Sequence, residues 1–226
     1  IFLAAEFGES VWTRYFFLVR TAEENERLRR ELAQARAYIH SCKEIERTNQ
    51  RLETFVDLKS ESDQQVLAAQ VVAKDPSPWY RTVIINRGRQ DGVRKSDPVI
   101  MPKGVVGQVV GVSSGYAKVL LIVDRNSAVD GLVQRTRARG LVSGLSGPSC
   151  RFEYALRKDD IRVGDVIITS GLDNVFPKGL RVGRVSKVIR RNSGIFQEIQ
   201  IAPYVDFQKL EEVLVVLNTP SLEIIE

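Results

Sequence analysis

The residue types that carry out most enzyme chemistry are scarce here and far apart. One histidine, His40, and two cysteines, Cys42 and Cys150, are all that 226 residues offer for proton shuttling, thiol chemistry or soft-metal binding. Two cysteines at that separation form neither a disulfide framework nor a zinc motif. His40 belongs to a long helical stretch, remote in sequence from everything that reads as strand, so no serine of the β region has a base near it in sequence. The adjacent carboxylates Asp159-Asp160 and Glu211-Glu212 would point to opposite faces of a strand, whereas acid–base catalysis needs two groups converging on one bond. Gly88-Arg89-Gln90-Asp91-Gly92 supplies one carboxylate, too few for a calcium loop. The expectation is a protein that is not an enzyme and needs no cofactor or metal.

The one pattern that looks purposeful is a lysine held twice between proline and glycine. Pro102-Lys103-Gly104-Val105-Val106-Gly107 and Pro177-Lys178-Gly179-Leu180-Arg181-Val182-Gly183 invite a phosphate-binding reading. No helix follows either word and neither holds Gly-Lys-Ser/Thr, so a P-loop is excluded. Proline pre-sets φ and a glycine two positions on takes φ > 0, which makes each word a tight turn with its lysine exposed. The second glycines, Gly107 and Gly183, fall inside strands, where glycine marks a bulge or a close backbone approach. The match extends outward. Ser96-Asp97-Pro98-Val99-Ile100-Met101 parallels Gly164-Asp165-Val166-Ile167-Ile168-Thr169, Ser114-Gly115-Tyr116 parallels Ser193-Gly194-Ile195-Phe196, and each copy then reaches an aspartate, Asp124 or Asp206. Self-similarity at this spacing predicts two β modules built to one plan.

The elements that would position these words divide the chain in two. Residues 1–65 hold ten basic and twelve acidic residues, so the +5 net charge and pI near 9.3 come from the remainder, with 23 basic and 16 acidic. Scattered Arg and Lys on sheet surfaces solubilise edges, and nucleic acid is not the expected partner. From Ser10 to Asp63 there is no Pro or Gly, and helix formers dominate. Val11, Leu18, Asn25, Leu28, Leu32, Ala35, Ile39, Cys42, Ile45, Asn49, Leu52 and Val56 fall on a coiled-coil seam, with a stammer after Cys42. Such a helix would reach on the order of 80 Å, and a lone seam needs a partner, so dimerisation through Leu18, Asn25, Leu28, Leu32, Ala35, Ile39, Ile45 and Leu52 is predicted. Glu6, Glu9 and Arg14 interrupt the first apolar stretch well before the roughly 20 residues a bilayer needs.

From Val66 the period changes to that of strands. Short runs between Gly and Pro turns, with no helix-length crossover, predict small antiparallel barrels. The fold class is thus mainly β behind an N-terminal long α-helix: a coiled coil (1–65), a first β-barrel (66–145) and a second (146–226), linked near Leu145 to Ser149. A strand near 66–73 could belong to the second barrel instead of the first. Trp79, Tyr80, Phe152, Tyr154, Phe176 and Phe207 lie beside turns or strand ends and are candidate partner-binding anchors; core or turn packing explains them too.

A coiled-coil helix feeding two small barrels, with Asp165-Val166-Ile167-Ile168-Thr169-Ser170-Gly171-Leu172 leading to Phe176-Pro177-Lys178-Gly179-Leu180-Arg181-Val182-Gly183, resembles the bacterial rod-shape-determining MreC family. Asn86-Arg87-Gly88, Asp91-Gly92-Val93 and Gly104-Val105-Val106-Gly107-Gln108-Val109 are similar to that family as well, and the likeness spans Val66 to Leu217. The resemblance implies a scaffold of the cell-elongation machinery that catalyses nothing, on the periplasmic side of the inner membrane and anchored by one transmembrane helix N-terminal to this piece. It implies a homodimer, extending to filaments, and the partners MreB, MreD, RodA and a class B penicillin-binding transpeptidase, which it would activate to maintain rod shape. The alternative is a periplasmic adaptor of a membrane transport assembly, though adaptors of that kind carry a helical hairpin within the chain.

Overall fold

The computed structural model describes residues 24–46, 48–49, 65–75, 81–145, 147–189 and 194–217. Two compact units divide the chain, 1–53 and 54–226. In the first, residues 24–46 form helix α1, and residues 48 and 49 are helical as well. Its surface is stitched by i,i+4 pairs, Arg30 with Glu26 at 3.1 Å and Arg27 with Glu31 at 3.5 Å. Each such exposed pair adds only a few tenths of a kcal/mol. No helix among the described residues is long and apolar enough to cross a membrane.

The second unit is built of twelve strands, all paired antiparallel. They are β1 (Val66–Lys74), β2 (Thr82–Ile85), β3 (Pro98–Met101), β4 (Gly104–Val112), β5 (Ala117–Leu121), β6 (Ala128–Val133), β7 (Arg139–Gly144), β8 (Cys150–Glu153), β9 (Val166–Thr169), β10 (Arg181–Ile189), β11 (Glu198–Pro203) and β12 (Glu212–Val216). One closed barrel runs β1-β12-β3-β4-β5-β2 and the other β7-β6-β9-β10-β11-β8. Around the ring the two orders are the same, with β12 standing in the first where β6 stands in the second. In chain order each module supplies five strands and then a sixth, and each sixth strand closes the other barrel.

This corrects the expected boundaries. Residues 128–144, assigned by sequence to the first barrel, form β6 and β7 of the second. Residues 212–216, assigned to the second, complete the first. The segment 145–149, read as the inter-module link, is the β7–β8 turn, closed by Leu145 N–H to Ser149 O at 3.1 Å. The chain crosses between the barrels at 122–127 and returns at 204–211, and the first crossing is pinned by burial and by Asp124. That carboxylate accepts from the backbone N–H of Arg81 at 2.6 Å and of Asn126 at 2.7 Å. The strand near 66–73 belongs to the first barrel, with Val66↔Val216 and Val71↔Ile85 in register. A strand is exchanged between modules, but it is the sixth of each.

The repeated glycines do the same work twice. The β3–β4 register slips beside Gly107 and the β9–β10 register beside Gly183. A Cβ would lie 2.0 Å from the Leu120 carbonyl oxygen at Gly107 and 2.5 Å from that of Ala202 at Gly183. Each site is a bulge that bends a long strand around the barrel wall, and no side chain fits. The Pro-Lys-Gly words are turns as expected, with Gly104 at φ 152° and Gly179 at φ 94°. They also lie close together, because a Cβ on Gly104 would sit 2.3 Å from the Arg181 carbonyl oxygen. Beside that contact Leu180 and Met101 pack against the outer residues Val66, Ile100, Leu214 and Val216. β12 is thus covered on both faces, which explains its unbroken Val213-Leu214-Val215-Val216.

Candidate functional site

Among the described residues the groups with reactive side chains lie apart from one another. Cys150 is fully buried and donates from Sγ to the Ile122 carbonyl at 3.4 Å; burial pushes its thiol up to about 12, far from a reactive thiolate. Cys42 and His40 lie exposed on α1. Asp97 and Asp165, equivalent in the two modules, hold equivalent turns: each accepts from the backbone N–H three residues earlier, Arg94 at 2.7 Å and Arg162 at 2.9 Å. Their surroundings differ. Burial raises the Asp97 carboxyl above its ordinary value, whereas the Arg135 guanidinium, 2.9 Å away, holds Asp165 below it. The same guanidinium reaches Asp160 at 3.0 Å, where Arg162 first and Arg135 second lower the carboxyl. This is a surface network of turn caps. Among the described residues no three metal-ligating side chains converge.

Surfaces offer more. On α1 the seam residues Leu28, Leu32, Ile39 and Ile45 are all more than half exposed, and Asn25 and Ala35 are exposed with them. Spacings of four and three place Asn25, Leu28, Leu32, Ala35 and Ile39 on one face, with Ile45 offset by the stammer, and in this chain nothing among the described residues covers it. Leu18 and Leu52, the outer members of the expected seam, lie outside the described residues.

The six candidate anchors separate clearly. Phe152 and Phe176 are interior, at 0% and 2% exposed, and pack the second barrel's core; sequence cannot tell a strand-end phenylalanine that points in from one that points out. Phe207 is half-buried in the short 3₁₀ turn before β12, and it lines a cleft of about 680 Å³ between the barrels with Val83, Val123, Pro148 and Val205. Trp79 and Tyr80 lie outside the described residues. Of the four described candidates Tyr154 is the exposed one, at 59%, and it stands at φ +63° just past β8. A non-glycine residue there carries backbone strain, which proteins retain mainly at binding and catalytic surfaces.

Tyr154 has a companion that the sequence reading did not single out. Phe196, 42% exposed, meets it edge to face with ring centroids 5.6 Å apart and planes at 89°, and Ile195 beside it is 69% exposed. The two rings flank an open groove of about 560 Å³ with Arg151, Glu153, Gln197 and Glu198 on its walls. Gln197 fixes the groove from beneath, its Nε2 donating to the Leu156 and Asp159 carbonyls at 2.9 and 3.1 Å. Among the described residues its Oε1 is buried without a hydrogen-bond partner, an unpaired acceptor of the kind that costs about 1–3 kcal/mol. The signal that could have found the site was Gly194-Ile195-Phe196, two large apolar residues set directly after a turn glycine.

Comparison with known proteins bears on all of this. A family model described as rod shape-determining protein MreC, barrel core, matches residues 71–217. The cell shape-determining protein MreC of Escherichia coli is 34% identical over 192 residues, covering 84% of this chain and 52% of that protein. Its counterpart in Caulobacter vibrioides is 32% identical over 206 residues, covering 88% of this chain and 59% of that protein. The chain therefore spans a little over half the length of these two relatives. The crystal structure of MreC from Pseudomonas aeruginosa superposes with a TM-score of 0.66 at 31% identity, over 68% of this chain and 99% of that one. MreC from Helicobacter pylori, solved in complex with penicillin-binding protein 2, shares the fold at 15% identity and a TM-score of 0.54, over 68% of this chain. With the family's barrel core matched from β1 to β12 and relatives aligned over most of its length, the chain belongs to the MreC family of rod shape-determining proteins.

Proposed function

We propose that the protein is a non-catalytic scaffold of bacterial cell elongation that dimerises through α1 and binds a class B penicillin-binding transpeptidase at the Tyr154–Phe196 groove. The observation that carries the binding reading is the exposed edge-to-face pair itself. Two large aromatic rings held in water over an open groove lose little conformational entropy on docking, and such rings dominate the energetics of protein interfaces. The Helicobacter pylori family member complexed with penicillin-binding protein 2 supports a partner of this class. The uncovered seam of α1 supports self-association. Anchoring in the inner membrane by a helix N-terminal to this chain, with the barrels in the periplasm, and cooperation with RodA, MreD and MreB complete the reading. A transport adaptor would need a helical hairpin within the chain, and none stands among the described residues.

The test is a binding titration of the chain against a soluble class B transpeptidase. Tyr154→Ala and Phe196→Ala are each expected to weaken binding at least tenfold, the loss usual for an interface anchor. Phe207→Ala, in the inter-barrel cleft, should leave it within twofold. Affinity unchanged in both groove variants removes the groove from the function.

A further inference from the structure

The long strand β10 carries the distinctive charge pattern of the barrel pair. Arg181, Arg184 and Lys187 are all exposed, and none meets a carboxylate within ion-pair distance among the described residues. Their cross-strand partners are neutral: Ile168 opposite Arg181, Val166 and Ala202 flanking Arg184, and Gln200 opposite Lys187. Apart from Arg139 at the start of β7, which is exposed like them, the outward cations of the other barrel strands behave differently. Lys118 pairs with Asp75, Arg151 with Glu153, and Lys74 donates to the Gln208 carbonyl. At the N-terminal end of β10 the file continues across the junction, because the Gly104 backbone lies against Arg181 and Lys103, exposed at the tip of the first Pro-Lys-Gly turn, is its neighbour. Four cations thus run in single file from one barrel onto the other with no acidic residue between them. Exposed like charges about 10 Å apart along a strand are largely screened from one another at physiological salt, so the file costs the strand little, and it gains when an anionic surface lies against it.

We infer that Lys103, Arg181, Arg184 and Lys187 form a docking track for an anionic lipid bilayer surface. Along a strand, residues three apart are separated by about 10 Å. That is about three times the phosphate repeat of a nucleic-acid strand, so the spacing itself also fits a regular polyanion, and binding to soluble polyphosphate is the outcome that separates the two. Lipid headgroups diffuse laterally and gather under cations at any spacing. A convex barrel wall also meets a flat surface along a narrow band, which a single file of cations fills. Each cation near an anionic bilayer is worth about fivefold in affinity. The inference stands apart from the transpeptidase reading, since β10 and the Tyr154 groove involve different residues.

The experiment is co-sedimentation of the chain with vesicles of 30% phosphatidylglycerol in phosphatidylcholine, with pure phosphatidylcholine as the uncharged arm. Expected is binding to the anionic vesicles alone, weakening steeply between 50 and 300 mM salt. The variant R181Q/R184Q/K187Q should lose about a hundredfold in affinity. R139Q/K158Q removes two exposed cations from β7 and the loop after β8, and it should stay within a few fold. Circular dichroism melts of both variants within a few degrees of the parent keep the comparison one of charge placement. Absence of binding to anionic vesicles overturns the inference. So does an equal loss in R139Q/K158Q, which would mark general charge, and so does tighter binding to soluble polyphosphate at the same phosphate concentration, which would mark a polymer site.

Discussion

Ending the chain at Leu210 removes β12 and leaves every other strand in place, which isolates the sixth-strand exchange. Val213, Leu214, Val215 and Val216 are each at most 2% exposed. Burying a side chain of this size contributes about 1.5–3 kcal/mol, so the four together contribute about 6–12 kcal/mol. That is comparable with the whole stability of a domain, about 5–15 kcal/mol. The loss falls on one barrel. β1 loses its partner from Val66 to Gln70 and β3 loses its partner at Val99 and Ile100, which leaves two open edges. The second barrel keeps all six strands, continuous in sequence from Ala128 to Pro203. Amide hydrogen exchange followed by mass spectrometry reads both barrels in one sample. In the shortened chain, peptides covering β1 and β3–β5 are expected to exchange at near-unfolded rates, while those covering β7–β11 stay protected, though less than in the parent because Ile122 and Val123 join the two cores. A first barrel still protected, or two barrels losing protection to the same extent, would refute the reasoning.

Other expectations follow from single positions. Gly107→Ala should cost about 3 kcal/mol in denaturant unfolding, since its Cβ would sit 2.0 Å from the Leu120 carbonyl oxygen, whereas Gly115→Ala, with nothing within 4 Å, should be neutral or slightly stabilising; equal effects would deny the close approach. The two equivalent aspartates should respond to pH in opposite senses. Arg135 holds Asp165 below the ordinary 3.8, so its stabilising contribution is present above that pH and fades as pH falls through the lower folded value. Asp165→Asn should therefore lower the Tm at pH 7 and converge with the parent in acid. Burial raises Asp97 above 3.8, so folding favours its protonated form and the parent loses that benefit as pH rises through the raised value; Asp97→Asn should compare better with the parent at pH 7 than at pH 3. Parallel pH profiles for the two variants would contradict both assignments. On α1, Leu32→Asp with Ile39→Asp is expected to convert a dimer to a monomer in sedimentation velocity at tens of micromolar, and a parent chain already monomeric there would remove the seam argument.

What the sequence made legible was local. Pro-Lys-Gly turns, bulge glycines at 107 and 183, strands bounded within a few residues and a helical stretch all depend on neighbours in the chain, and the structure places each of these turns and bulges as expected. The sixth-strand exchange was not legible because periodicity reports which face a strand buries and is silent on its partner: Ala128 to Val133 reads the same whether it pairs with β1 and β3 or with β7 and β9. One clue was present. Val213-Leu214-Val215-Val216 lacks the alternation of a strand with one face in water, and an unbroken apolar run signals burial on both faces. Leu180 and Met101 are what cover the outer one. The same limit governed the surface. Phe152 and Tyr154 are two residues apart, yet one fills the core and the other stands in water. Two residues should share a face in a strand, and only the left-handed turn at Tyr154 breaks that rule. Sequence reasoning offered Tyr154 and Phe152 alike and missed Phe196; the strained turn is what sends the Tyr154 ring outward to meet it.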